Sequence, residues 1–186
     1  MLIVVCAMEE EAREIIKYFN LQKKAGYFES EKIRLIITGI GREKVKEVLS
    51  KAQAEGIFTK DDDILNFGFA GGHKIKTGMV IAIRDVFLKD PYENPAGFGL
   101  DCPTGFYPSG TVDCYTSDTF VERCEYRSPC VFDMELFEIC IFPHRKIYSI
   151  KLVSDNLSEA EFDSKIGEYS LDLVLSRIEK ILERTD

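Results

Sequence analysis

The sequence predicts an α/β protein, a three-layer α/β/α sandwich, and three observations carry that prediction. Apolar runs of five to nine residues alternate with segments striped at helical spacing. The apolar runs lack polar alternation, as expected of strands covered on both faces. No internal repeat and no linker interrupts the alternation, so a single domain over residues 1–186 is expected.

Residues 2–7 (LIVVCA) read as a first buried strand. Met8, Ala12, Ile15, Ile16 and Phe19 then mark one face of a helix that starts in the acidic "EEE". "IRLIITGIG" (33–41) is a second buried strand ending in glycines. Val45, Val48, Leu49 and Ala52 stripe a helix that stops at Gly56. "ILNFGFAGG" (64–72) is a third strand running into a glycine turn, and "MVIAIRDVFL" (79–88) a fourth. Residues 89–111 are rich in Pro, Gly and aromatics, among them Tyr92, Phe98, Phe106 and Tyr107, and read as a long functional loop. "VDCYTSD" (112–118), a helix over 136–142 and the strand "KIYSIKLVSD" (146–155) follow. A last helix carries its stripe at Phe162, Ile166, Leu173, Val174, Ile178, Ile181 and Leu182.

Composition excludes several classes of function. Hydrophobic residues at 45% and charged residues at 30% are those of an ordinary globular protein. A net charge of −8 argues against nucleic acid and against an anionic membrane surface as partners, because both need clustered Lys and Arg. No segment has the roughly 18 consecutive apolar residues of a membrane span. The opening "MLIVVCAMEEE" lacks a basic leader and reads as a strand, not a signal peptide. The six cysteines include no C-x-x-C pair, and only His73 and His144 are present, so no metal and no cofactor is expected. Reduced thiols in a cytoplasmic setting fit this usage; pairing among the four cysteines from 102 to 130 is the alternative.

The functional signal lies in where the acids fall. Glu11 follows the first strand, Glu135 precedes the 136–142 helix and Asp155 ends a strand. Ligands of open α/β sheets bind beyond the carboxyl ends of strands, where these acids can converge. Each also has a local explanation. "EEE" is a common first helical turn, Asp133 and Glu135 suit a helix start, and Ser158 with Glu161 forms a capping box.

Seven blocks in order resemble the nucleoside phosphorylase and nucleosidase superfamily, nearest its methylthioadenosine/S-adenosylhomocysteine nucleosidases. They are "AMEEEA" (7–12), "TGIG" (38–41), "NFGFAGG" (66–72), "TGMVIAI" (77–83), "SDTF" (117–120), "DMELFEI" (133–139) and "LVSD" (152–155). The resemblance implies a central mixed, twisted sheet and hydrolysis of the bond between ribose C1′ and a purine nitrogen. It matches Glu11 to the base that activates water and Asp155 to the acid that protonates the leaving purine. Glu135 matches the acid on the ribose hydroxyls, Met134 the residue packed on the sugar and Phe120 the ring stacked on the base. Phe69, Ala70 and Gly71 occupy the glycine turn beside the substrate. Phe98 is matched to an aromatic near the 5′ substituent, often lent across a dimer interface, and a homodimer is therefore expected.

Departures from the family pattern bear on substrate. Phe69 stands where these nucleosidases commonly carry Ser, and the helical stretch that usually lies between the long loop and the "SDTF" strand is missing; Asp133 where Glu is usual is a mild change. A futalosine-type hydrolase and a non-catalytic nucleoside-binding member are accordingly the alternatives. A phosphorylase fits less well, because Glu9, Glu10 and Glu11 repel phosphate and the arginines of that branch have no counterpart.

Overall fold

The structure, a computed structural model, describes residues 1–89, 97–101, 111–165 and 169–184. In order, the chain forms β1 (Leu2–Cys6), α1 (Glu9–Tyr18), β2 (Gln22–Lys23), β3 (Phe28–Glu29), β4 (Ile33–Ile37), α2 (Arg42–Ala54) and β5 (Asp63–His73). It continues through β6 (Val80–Leu88), β7 (Gly97–Gly99), β8 (Thr111–Thr116), β9 (Cys130–Asp133), α3 (Leu136–Ile139), β10 (Lys146–Asp155), α4 (Glu159–Lys165) and α5 (Asp172–Leu182).

The strands form one mixed sheet. β1 lies between β4 and β5, parallel to both. β5 also pairs in parallel with β10, which runs antiparallel to β6; β6 and β8 are parallel, as are β8 and β9. β9 then returns antiparallel to the end of β5, so five strands close on themselves. Continuous apolar runs make sense here because alternate side chains enter two different clusters. Ile3 and Val5 of β1 pack with Val45 and Leu49 of α2 and with Leu136 and Ile139 of α3. Leu2, Val4 and Cys6 pack instead with Ala12 and Ile15 of α1 and with Val174 and Ile178 of α5. Strands apolar at every position are thus buried on both sides.

The expected elements are altered in several places. The glycine turn expected at the end of "NFGFAGG" is strand: β5 runs on through Gly71 and Gly72 to His73 because β9 pairs with it there, so Phe69, Ala70 and Gly71 are strand residues. β2, β3 and β9 are additional short strands. The strand begun at Ile33 ends at Ile37, and Thr38–Gly41 form the turn into α2. The helix expected over 136–142 is a single turn, Leu136–Ile139. The last helix is divided into α4 and α5, and Ser170 Oγ accepts the Asp172 N–H (3.3 Å) at the new start. The long loop contains a short strand, β7, paired with β6. Tyr92, Phe106, Tyr107, Cys102 and Ile166 lie outside the described residues. Cys6, Cys114, Cys124, Cys130 and Cys140 are free thiols. Among the described residues, no helix is long and apolar enough to cross a membrane.

Candidate active site

The site forms where β5 changes partners. β1 pairs with β5 as far as Asn66, and β9 takes up the same strand from Gly71. Among the described residues, neither strand pairs with residues 67–70, so backbone donors there need another acceptor. Glu11 supplies it. Its Oε1 accepts the Phe69 N–H at 2.9 Å. Its Oε2 accepts the N–H groups of Ala7 (2.7 Å) and Met8 (3.0 Å). The "EEE" turn therefore does two jobs: it opens α1, and its third acid reaches back under the chain. Burial raises the Glu11 carboxyl above the ordinary value, while the three N–H groups and the charge of Lys151 oppose that rise.

Asp155 enters from the end of β10, where a register shift after Val153 places it opposite Gly71. Its Oδ2 accepts the Ser154 hydroxyl (2.8 Å) and its Oδ1 the Ser158 N–H (3.1 Å). A side chain at residue 71 would meet Asp155 Oδ1 at 3.1 Å and Leu157 at 3.0 Å, so glycine there allows the close approach. Ser158 also accepts the Glu161 N–H, the cap expected from the sequence. Glu135 enters from the third direction, just past β9. Its Oε1 accepts the Gly41 N–H (2.8 Å), which ties it to the start of α2. Burial first, and then the charge of Asp133, pushes the Glu135 carboxyl up to about 7, against Lys151 and the Gly41 N–H.

Glu11, Glu135 and Asp155 are 2%, 8% and 1% exposed, and all three line one cavity of about 450 Å³. Met134, Phe120, Phe69, Ala70 and Gly71 line it as well. Phe98 does not; its ring packs edge-on against Phe137, with centroids 5.2 Å apart. Phe69 joins an aromatic wall, with Phe162 at 6.3 Å and Tyr169 at 6.5 Å. Sequence reasoning placed Phe162 only on a core stripe, whereas α4 turns it into the cavity.

The larger omission is Lys151. It is 1% exposed in the middle of β10, and its Nζ lies 2.6 Å from Asp133 Oδ2. A lysine inside the apolar run "YSIKLVS" was the available signal, since a buried ammonium needs an acidic partner. Asp133 is held further by the Thr116 hydroxyl (2.6 Å) and the Leu136 N–H (3.0 Å). Burial alone would raise the Asp133 carboxyl, but Lys151 and these donors hold it below the usual carboxylate range. Asp133 is not the N-cap of α3, which is Glu135, but it accepts the helix's first N–H from two residues further back and also neutralises a buried cation.

The chain has the fold of methylthioadenosine/S-adenosylhomocysteine nucleosidases of solved structure. The enzyme of S. pneumoniae, solved with the transition-state inhibitor MT-ImmA, superimposes with a TM-score of 0.78 at 19% identity, covering 100% of both chains. The S-adenosylhomocysteine nucleosidase of Streptococcus pyogenes, in complex with 5-methylthiotubericidin, gives 0.77 at 17% identity over 96% of each chain. That of Neisseria meningitidis, in complex with methylthio-immucillin-A, gives 0.71 at 19% identity over 96% of this chain and 98% of the other. No protein-family model and no curated protein sequence matches. At these identities the likeness is one of fold.

Proposed function

We propose that this chain is a purine nucleosidase. It hydrolyses the N-glycosidic bond of a methylthioadenosine/S-adenosylhomocysteine-like nucleoside within a single domain, layered α/β/α. The observation that carries the reading is the convergence of Glu11, Glu135 and Asp155, from separate elements, on one cavity. Cleavage of such a bond builds positive charge on the ribose and negative charge on the base. Carboxylates near the sugar stabilise the first and a proton donor at the base stabilises the second.

In this reading Glu11 takes a proton from water as its oxygen attacks C1′. A carboxyl raised above its ordinary value by burial is a stronger base than a free one. Asp155 delivers a proton to N7 of the departing purine, and the bonding electrons of the C1′–N bond leave with the base. Glu135 holds the ribose hydroxyls, Met134 packs on the sugar and Phe120 stacks on the base. Hydrolysis is favoured over phosphorolysis because Lys151, a cation buried nearby, is already engaged by Asp133. The apolar wall of Phe69 and Phe162 supports a substrate without an anionic group at that side.

The test is incubation with methylthioadenosine, S-adenosylhomocysteine, futalosine and inosine, with and without phosphate, while free base and sugar are followed. Phosphate-independent release of adenine from the first two is expected. Release from futalosine alone would reassign the substrate, ribose 1-phosphate would select a phosphorylase, and binding without release would leave a nucleoside-binding protein.

A further inference from the structure

The cavity is charged in one sense only. Glu11, Asp133, Glu135, Asp155 and Glu159 line it, and among the described residues no Lys, Arg or His does. Four of these carboxyls are engaged inside the fold. Glu11 accepts three backbone N–H groups, and Asp133 meets Lys151. Glu135 accepts from Gly41, and Asp155 from Ser154 and Ser158. Glu159 differs from them. It is exposed, and among the described residues no hydrogen bond or ion pair engages its carboxylate. A charged group at the lip of the cavity, with no partner of its own, is free to meet a ligand.

Its position says which part of the ligand it meets. Glu159 and Phe162 stand three residues apart on α4, hence on one face of that helix, and both line the cavity, as does Leu157. With Asp155 on the purine and Glu135 and Met134 on the ribose, what remains to be housed is the substituent on ribose C5′. Two directions are available to it. One passes Ile40 and Met134 into a second cleft, of about 580 Å³, that carries Arg42, Lys44 and Lys46. Two of those cations already have acids beside them: Arg42 lies 3.2 Å from Asp118 and 3.5 Å from Glu138, and Lys44 lies 3.1 Å from Glu47. The other direction follows the apolar surface of Leu157 and Phe162 to the unengaged carboxylate of Glu159. An apolar spacer with a cation at its end suits this second path. The spacer covers apolar side chains, and the cation meets a charge without displacing a partner.

We propose that Glu159 reads the charge of the 5′ substituent. The chain then selects nucleosides whose 5′ arm is an apolar thioether spacer ending in an ammonium group, and discriminates against arms ending in a carboxylate or phosphate. The inference rests on the nucleosidase reading and names the substrate class for the same cavity. Glu159 touches the arm of the substrate and no reacting atom, so it acts as a specificity residue.

Three 5′-thioethers of adenosine, bearing aminoethyl, propyl or carboxyethyl on sulfur, supply the probes. In the native protein, kcat/KM for adenine release should fall in that order, with about 5-fold or more between first and last, the scale of exposed charge pairs. Glu159→Gln keeps the size of the side chain and should bring that ratio close to one. Added salt should lower it in the native protein. Glu161→Gln removes an equal charge from the same helix at a residue that does not line the cavity, and should leave the ratio as it was. A ratio unmoved by Glu159→Gln overturns the proposal. A native preference for the carboxylate overturns it too, and places the arm beside Arg42. If adenine is released from none of the three, the nucleosidase reading fails on its own account. Calorimetric Kd values for the same compounds, in the native protein and in Glu159→Gln, then decide this proposal by the same ratio, and absence of binding by all three overturns it as well.

Discussion

Asp133 and Glu135 are separated by one methionine, yet their environments push them in opposite directions. Asp133 faces a buried ammonium and two hydrogen-bond donors, and its charge is stabilised. Glu135 is about as deeply buried, but burial and the repelling charge of Asp133 outweigh Lys151 and the backbone N–H groups it accepts, so it holds a proton to about pH 7. Sequence alone makes both acids visible and assigns both to a helix start. It cannot separate them, because the separating charge sits on Lys151, which folding brings in on β10. The acids at strand ends are legible because strand ends can be read from apolar runs. At the residue scale, Glu11→Gln removes the proton acceptor while keeping an oxygen for the Phe69 N–H. Asp155→Asn likewise keeps an acceptor for Ser158. Both variants should fold and melt close to the native protein while losing at least ~10²-fold in kcat, roughly 3 kcal/mol or more of barrier. Steady-state base release together with a melting curve checks both halves of that expectation.

At the scale of elements, periodicity located the buried faces more reliably than the ends, although Leu173, which spacing places on the buried stripe of the last helix, faces solvent. The stripe from Phe162 to Leu182 reads as one helix because spacing does not register a break when both sides of it are apolar. The break matters to function: α4 presents Phe162 to the cavity, while α5 packs Val174, Ile178 and Ile181 against β1 and β10. Between them the Tyr169 hydroxyl donates to the Ser154 carbonyl (2.7 Å), pinning the connection beside Asp155. The change of partner along β5 was equally invisible, since "ILNFGFAGG" looks the same whether β1 or β9 lies alongside. The two-helix arrangement predicts an uneven response along α5. Ile178 is 0% exposed and Leu173 45%. Ile178→Ala should destabilise by about 2–5 kcal/mol, and Leu173→Ala by no more than about 0.5 kcal/mol. Urea unfolding of the two variants measures the difference; equal losses would mean that α5 presents a different face.

For the whole molecule, the buried acids tie stability to the same pH range as the proposed chemistry. Raised carboxyls favour the folded state in their protonated form. Their contribution is complete below the ordinary value of 4.5 and disappears as pH rises through the folded value, about 7 for Glu135. Glu11 acts in the same direction. Asp133, held low, contributes the opposite way, but its loss falls below its ordinary value of 3.8 and outside this window. From 4.5 to about 7, Glu135 alone accounts for about 3 kcal/mol, at 1.36 kcal/mol for each pH unit. A protein of this size responds by roughly 2–4 °C in Tm for each kcal/mol. Repulsion within a chain carrying a net charge of −8 near neutrality also grows with pH, so a falling Tm would not by itself identify the group. Glu135→Gln separates the two causes: it removes one titration and leaves the surface charge as it was. Tm measured from pH 4.5 to 8 should decline in the native protein and decline clearly less in Glu135→Gln. Parallel curves would show that Glu135 is already ionised throughout the range.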